Sequence, residues 1–131
     1  MDENPEKSKS DIYNFGFDND QADYLYEPKD TINYRYEVQK KLGRGAFGVV
    51  IRCFDHKTKE SVAVKVLKNW KKLHKQGKIE IKILETLRDQ DHENVKNIVR
   101  IKDSFTWRSH VCIVFEMLSI NLYQFIKNND F

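Results

Sequence analysis

The spacing of apolar and polar residues changes several times along the chain. Residues 1–10 (MDENPEKSKS) hold nothing to bury and predict a disordered leader. Residues 11–33 stay polar, yet Ile12, Tyr13, Phe15, Phe17, Tyr24, Leu25 and Tyr26 stud them. That many rings predict an extended segment that docks on a neighbouring surface. From Tyr34 the period becomes that of strands. Residues 36–42 (YEVQKKL) read as a strand running into a turn, 48–56 (GVVIRCFDH) as a second strand and 60–67 (ESVAVKVL) as a third. Short polar turns between them, such as 55–59 (DHKTK), predict an antiparallel meander.

Residues 69–88 shift to a helical period, with Leu73, Glu80, Ile83, Leu84 and Leu87 on one face. Gly77 inside this stretch costs about 1 kcal/mol relative to alanine and predicts a frayed first half. Residues 90–97 form a polar loop. Residues 98–105 and 111–115 make a second hairpin across 106–109, and 121–128 begin a short helix. The expected order is β-β-β-α-β-β-α, without repeats. The fold class is α+β, with a five-stranded antiparallel sheet and one main helix.

Composition narrows the class. With 40% hydrophobic and 33% charged residues, the chain suits one soluble domain or part of one. Its apolar runs are too short to span a bilayer, and its polar, acidic start is not a signal peptide. The net charge of +3 is uneven. Residues 1–34 carry nine Asp/Glu against three Lys, a net of −6, and the remainder carries +9. This predicts an acidic segment lying beside a basic domain. No basic stripe interleaved with aromatics points to nucleic acid. Cys53 and Cys112 lie far apart in alternating segments and read as reduced thiols of an intracellular protein, in cytoplasm or nucleus. His56, His74, His92 and His110 stand at no metal-ligand spacing, so no metal site is expected. Lys68, Lys71, Lys72, Lys75 and Lys78 read as a solvated helix face, with a localisation or acidic-partner patch as the alternative.

The candidate chemistry begins at 43–50 (GRGAFGVV), which fits G-x-G-x-x-G-x-V through Gly43, Gly45 and Gly48. Glycine lets backbone turn tightly and approach phosphate oxygens without a Cβ in the way. Dinucleotide-binding oxidoreductases use a similar glycine pattern, but there it opens a helix and an acidic residue follows about 20 positions on. Here β-branched residues follow it, and a lysine stands where that acid would be. No Gly-Lys-Ser/Thr is present for a Walker-type loop. Residues 62–65 (VAVK) place Ala63 and Lys65 on one strand face and Val62 and Val64 on the other. A small Ala63 leaves room for a flat ring, with Lys65 in reach of phosphates. Glu80 shares the apolar helix stripe, where a carboxylate is costly unless it meets a cation. Lys65 is the natural partner, and a Lys–Glu pair aims the ammonium at nucleotide phosphates. A shifted helix register would instead turn Glu85 inward.

The glycine loop, strand lysine and helix glutamate, in this order, resemble the N-terminal lobe of eukaryotic protein kinases from Tyr34 to Phe131. More finely, 115–119 (FEMLS) with 121–123 (NLY), the stretch 33–38 (NYRYEV) and the stretch 18–24 (DNDQADY) are similar to the dual-specificity tyrosine-regulated (DYRK) kinases. The last of these resembles that family's homology box. The resemblance implies ATP as ligand. It implies contacts from Gly43, Gly45, Phe47 and Gly48 in the loop, and a sandwich of Leu42, Val50 and Ala63 around the adenine. It implies Phe115 as gatekeeper, adenine-edge bonds from the Glu116 carbonyl and Leu118 amide, Asn121 near the ribose, and the Lys65–Glu80 pair on the phosphates. Its division of the chain is an N-terminal extension at 1–33 docking on the lobe, the lobe at 34–118, and a hinge exit with the first helix of the next lobe at 119–131.

Neither H-R-D-x-x-x-x-N nor D-F-G occurs in these residues, so the resemblance places the catalytic aspartate and the Mg2+ ligands outside them. The expectation is the ATP-binding lobe of a DYRK-like Ser/Thr kinase, cut before its second lobe and inactive alone, with protein hydroxyls as substrates of the whole enzyme. The alternative is a non-catalytic module that docks regulators or substrates.

Overall fold

In the computed structural model, residues 13–90 and 100–117 are described. Six strands form one sheet: β1 (Thr31–Ile32), β2 (Tyr36–Gly45), β3 (Gly48–Asp55), β4 (Glu60–Leu67), β5 (Ile101–Trp107) and β6 (His110–Glu116). Among the described residues, the helix α1 (Lys71–Gln90) follows β4, and a 3-10 turn spans Asn14–Gly16. The spatial order is β1-β2-β3-β4-β6-β5, every neighbouring pair antiparallel. The expected five strands are present, and the sixth is the two-residue β1, whose Thr31 and Ile32 pair with Glu37 and Tyr36.

Alternation sorts β4 between two cores. Val62, Val64 and Val66 join an outer cluster with Tyr36, Val38, Val49, Ile51, Cys53, Cys112 and Val114. Ala63 and Leu67 join an inner cluster with Phe47, Val50, Ile101, Val111, Ile113 and Phe115. The inner cluster is covered by Leu73, Ile81 and Leu84 of α1. Phe17, Tyr24 and Tyr26, from the stretch before β1, pack on the outer one. Both faces are thus covered, which is why β6 reads as an almost continuous apolar run.

Four local readings change. β2 continues past Leu42 to Gly45, because irregularities between Val38 and Lys40 and between Lys41 and Gly43 absorb two register shifts. The second hairpin turns tightly at Arg108 and Ser109, both left-handed (φ 50 and 72) as a two-residue turn requires, so β5 extends to Trp107. On α1, Ile83 and Leu87 are about half exposed and Ile81 packs inward instead. The helix is also unbroken at Gly77, its one buried residue. A Cβ there would stand 2.5 Å from Leu67 Cδ1 and 2.9 Å from Val111 Cγ1, so glycine sets how closely α1 crosses the sheet.

Most polar groups inside are paired, and among the described residues Asp23 Oδ1 and Arg52 Nε are buried without a hydrogen-bond partner. His110 is fully buried. Its Nδ1–H donates to Leu67 O at 2.7 Å and its Nε2 lies 2.5 Å from Asp18 Oδ1. Asp18 also accepts from Asn14 Nδ2 and Asn69 Nδ2, each at 3.1 Å. Trp107 Nε1 donates to Tyr24 Oη at 3.2 Å, and the Arg108 guanidinium lies 4.1 Å from the Phe17 ring centre.

Cys53 and Cys112 are both free and buried. Burial pushes the Cys53 thiol up to about 12 and raises Cys112 as well, with Cys53 adding to the shift. Only thiolate alkylates. Both cysteines are therefore expected to resist iodoacetamide at pH 8 in the folded chain and to label fully in denaturant, as read by mass spectrometry. Rapid labelling of native protein would contradict this packing.

Candidate functional site

The site is built where the β2–β3 hairpin folds over the inner face. Gly45 pairs with Gly48, leaving Ala46 and Phe47 at the tip. Gly48 has φ +140, outside the range of ordinary side chains, and a Cβ on it would overlap the Val66 carbonyl oxygen and stand 3.0 Å from Lys68 N. That closeness lets the Lys68 N–H donate to Phe47 O at 2.8 Å, which ties the tip to the end of β4.

Below the tip, Lys65 pairs in register with Val50 of β3 and Ile113 of β6. Its side chain is only 4% exposed. Alternation points it to the inner face, where α1 presents Glu80. Lys65 Nζ donates to both carboxylate oxygens, at 3.0 Å to Oε2 and 3.3 Å to Oε1. The alternative register, with Glu85 turned to the lysine, is thereby excluded. The Phe47 ring completes the arrangement, its centre 4.8 Å from Lys65 Nζ. Glycine tip, strand lysine and helix glutamate thus meet in one place.

The apolar candidates lie farther along the same face. Ala63 pairs with Phe115 across β4 and β6, and both are buried with Val50 and Ile113. Leu42 and Met117 are partly buried against that cluster. Glu116 ends β6 half-buried, its N–H donating to Arg100 O at 3.1 Å. Leu118 and Asn121 lie outside the described residues.

A cavity of about 370 Å³ opens between the hairpin tip and α1, lined among others by Phe47, Lys65, Trp70, Leu73, Gly77 and Glu80. Sequence reasoning missed Trp70, Leu73 and Gly77 as lining residues. Gly77 was the available signal, since a glycine in mid-helix beside a predicted Lys–Glu pair marks a close approach. It also missed Lys68, which is no solvated helix residue. Its side chain is 11% exposed, and its Nζ lies 4.6 Å from the Trp70 ring centre. Lys71, Lys72, Lys75 and Lys78 are exposed, as the charge run implied.

Comparison with known proteins agrees with this geometry. Residues 36–131 match the protein kinase domain. The chain belongs to the protein kinase family. It is 48% identical to human dual specificity tyrosine-phosphorylation-regulated kinase 4 over 132 aligned residues, covering 100% of this chain and 24% of that protein. To the human kinase 3 of the same name it is 47% identical, covering 90% of this chain and 20% of that one. To the Caenorhabditis elegans kinase mbk-2 it is 48% identical, covering 90% and 14%. The chain is therefore a DYRK-type kinase N-lobe that spans less than a quarter of the length of these relatives.

Proposed function

We propose that this lobe binds ATP in the cleft between the glycine hairpin and the inner sheet face, and contributes that half-site to a DYRK-like Ser/Thr kinase transferring the γ-phosphate to protein hydroxyls. One observation carries the reading: the buried Lys65, held on two oxygens of Glu80 directly beneath a hairpin tip that only glycine can form. An ammonium on a strand reaches a phosphate only if it is aimed, and a carboxylate on the opposite element aims it.

The residues fit the nucleotide. Backbone at Gly43, Gly45 and Gly48 leaves the phosphates unobstructed, with Phe47 above them at the tip. Leu42, Val50 and Ala63 form an apolar slot for adenine, and Phe115 closes its back. The family resemblance assigns the adenine edge to the Glu116 carbonyl and the Leu118 amide and the ribose to Asn121, and the latter two residues lie outside the described residues. Magnesium is a different matter. The described residues contain no group of three His, Cys, Asp or Glu that could hold a metal ion, and Glu80 is engaged by Lys65. The described residues thus offer magnesium no ligand set, and a polypeptide of these 131 residues alone is expected to show no turnover. The segment before β1 serves as a docked extension of the lobe.

Fluorescence titration with a labelled ATP analogue tests the reading. The chain is expected to bind it and to release it to unlabelled ATP. Lys65→Ala is expected to weaken binding about tenfold or more, the scale of one charged phosphate contact. A folded wild-type chain that binds no analogue would refute it.

A further inference from the structure

The segment before β1 does more than cover the outer core, because it meets the glycine hairpin through a shared anchor. β4 ends at Leu67, and Lys68 and Asn69 follow it. Lys68 N–H holds Phe47 O at the hairpin tip. The next residue faces the other way: Asn69 N–H donates to Ala22 O at 2.9 Å, and Asn69 Nδ2 donates to Asp18 Oδ2. On the same stretch, Asp23 Oδ2 lies 3.1 Å from Arg44 Nη2 and 4.0 Å from Lys68 Nζ.

Arg44 is the residue between the first two glycines of the loop. It pairs in register with Val49, whose side chain belongs to the outer cluster. Asp23 therefore grips the hairpin from outside, while Val50 faces the inner cluster and the proposed adenine slot. Asp23 is 12% exposed and Arg44 is 54% exposed, so the carboxylate sits within the packed segment and the guanidinium reaches it from the solvent side. The other carboxylate oxygen, Asp23 Oδ1, is buried and accepts no hydrogen bond among the described residues. The hold on the loop thus runs through Oδ2 alone.

We infer that Asp23 is a positioning residue for the glycine-rich hairpin, holding it from the outer face through Arg44 so that docking of residues 14–26 and nucleotide binding on the inner face are coupled. The nucleotide half rests on the ATP reading above. The positioning half rests on the contacts alone. Coupling of this kind is reciprocal, so ATP must also tighten the segment.

Hydrogen exchange on the 131-residue chain, followed at 43–50, separates these parts. Asp23→Asn and Arg44→Gln are each expected to speed exchange there roughly three- to tenfold, with the double variant no faster than either single one. Asp23→Glu is expected to restore slow exchange. The β5–β6 amides serve as control, because general destabilisation would speed them too. Magnesium-ATP is expected to bind the single variants several-fold more weakly and to slow exchange at 14–26 in wild type. Unchanged hairpin exchange in Asp23→Asn, or additive single effects, would overturn the inference. So would ATP binding that ignores Asp23→Asn. Faster hairpin exchange in a chain whose wild type binds no ATP would sink the nucleotide reading and leave the positioning role standing.

Discussion

Asp55→Ala is expected to destabilise the chain by about 3–5 kcal/mol, the usual cost of removing one partner from a buried charge network. Asp55 is 1% exposed at the end of β3. It accepts from Arg35 Nε at 2.7 Å and Nη2 at 2.8 Å, from Lys57 N at 2.9 Å and from Thr58 Oγ1 at 2.9 Å. One carboxylate therefore joins the approach to β2 with the whole β3–β4 turn. Arg35 also lies 4.9 Å from the Tyr36 ring centre, and Tyr36 donates to Asp103 Oδ2 at 2.7 Å, which carries the network to β5. Against a typical domain stability of about 5–15 kcal/mol, the loss leaves a large unfolded fraction. Urea denaturation reads it, with Asp89→Ala as control. Asp89 pairs with Arg88 on an exposed surface and should change stability by less than about 1 kcal/mol. Equal midpoints for the two variants would show that the network does not hold the sheet.

Acid tests the same group. The Arg35 guanidinium, with the Lys57 amide and the Thr58 hydroxyl, holds the Asp55 carboxyl well below the usual carboxylate range, despite the opposing effect of burial. A depressed folded value means the stabilisation is present above the unfolded value of about 3.9 and is lost as pH falls below it towards the folded one. Wild type should lose stability through that acid window, and Asp55→Ala should show a shallower loss there.

The second large effect is Gly48→Ala, expected to cost about 3 kcal/mol or more. A non-glycine residue held at such a φ carries roughly 1–3 kcal/mol of strain. Here the added Cβ also meets backbone on every side: the Val66 carbonyl oxygen, Lys68 N and Leu67 Cα. No side chain can rotate away to make room. The hairpin must lift, which breaks the bond between Lys68 N and Phe47 O and moves the tip off Lys65. Gly16→Ala is the internal comparison, since Gly16 also has a positive φ (+91) but nothing within 4 Å of its missing Cβ. Thermal denaturation should show a loss several times larger for Gly48→Ala. Similar losses would mean that strain alone, and not contact with β4, explains the glycine.

Much of this was legible in the sequence because strand alternation is unambiguous where both faces are filled. The two faces of β4 follow from 62–67 alone, and the meeting of Lys65 with the helix follows once Glu80 is placed on the apolar helix stripe. The phase of α1 was less legible. Residues 78–83 (KIEIKI) put isoleucine on alternate positions, so three phases bury some apolar side chain. What decides is tertiary: Gly77 marks the closest approach and Glu80 answers Lys65, which turns Ile81 inward and leaves Ile79 and Ile83 about half exposed. The extension of β2 was hidden by Lys40 and Lys41, polar residues where irregular register replaces alternation. The contact of Asp18 with His110 spans 92 positions, and no local period reports such a distance. Nor does any local signal mark β1, which is two residues long and exists because β2 offers it an edge.

The central claim is that Lys65, aimed by Glu80 beneath the glycine hairpin, makes a nucleotide half-site. The most direct measurement is the thermal midpoint of the 131-residue chain with and without magnesium-ATP, beside the same chain carrying Lys65→Ala. A ligand that binds only the folded chain raises its midpoint by mass action. The account predicts a rise of a few degrees in wild type and none in Lys65→Ala. A cooperative transition that ATP leaves unmoved in wild type, or that rises equally in Lys65→Ala, would contradict it.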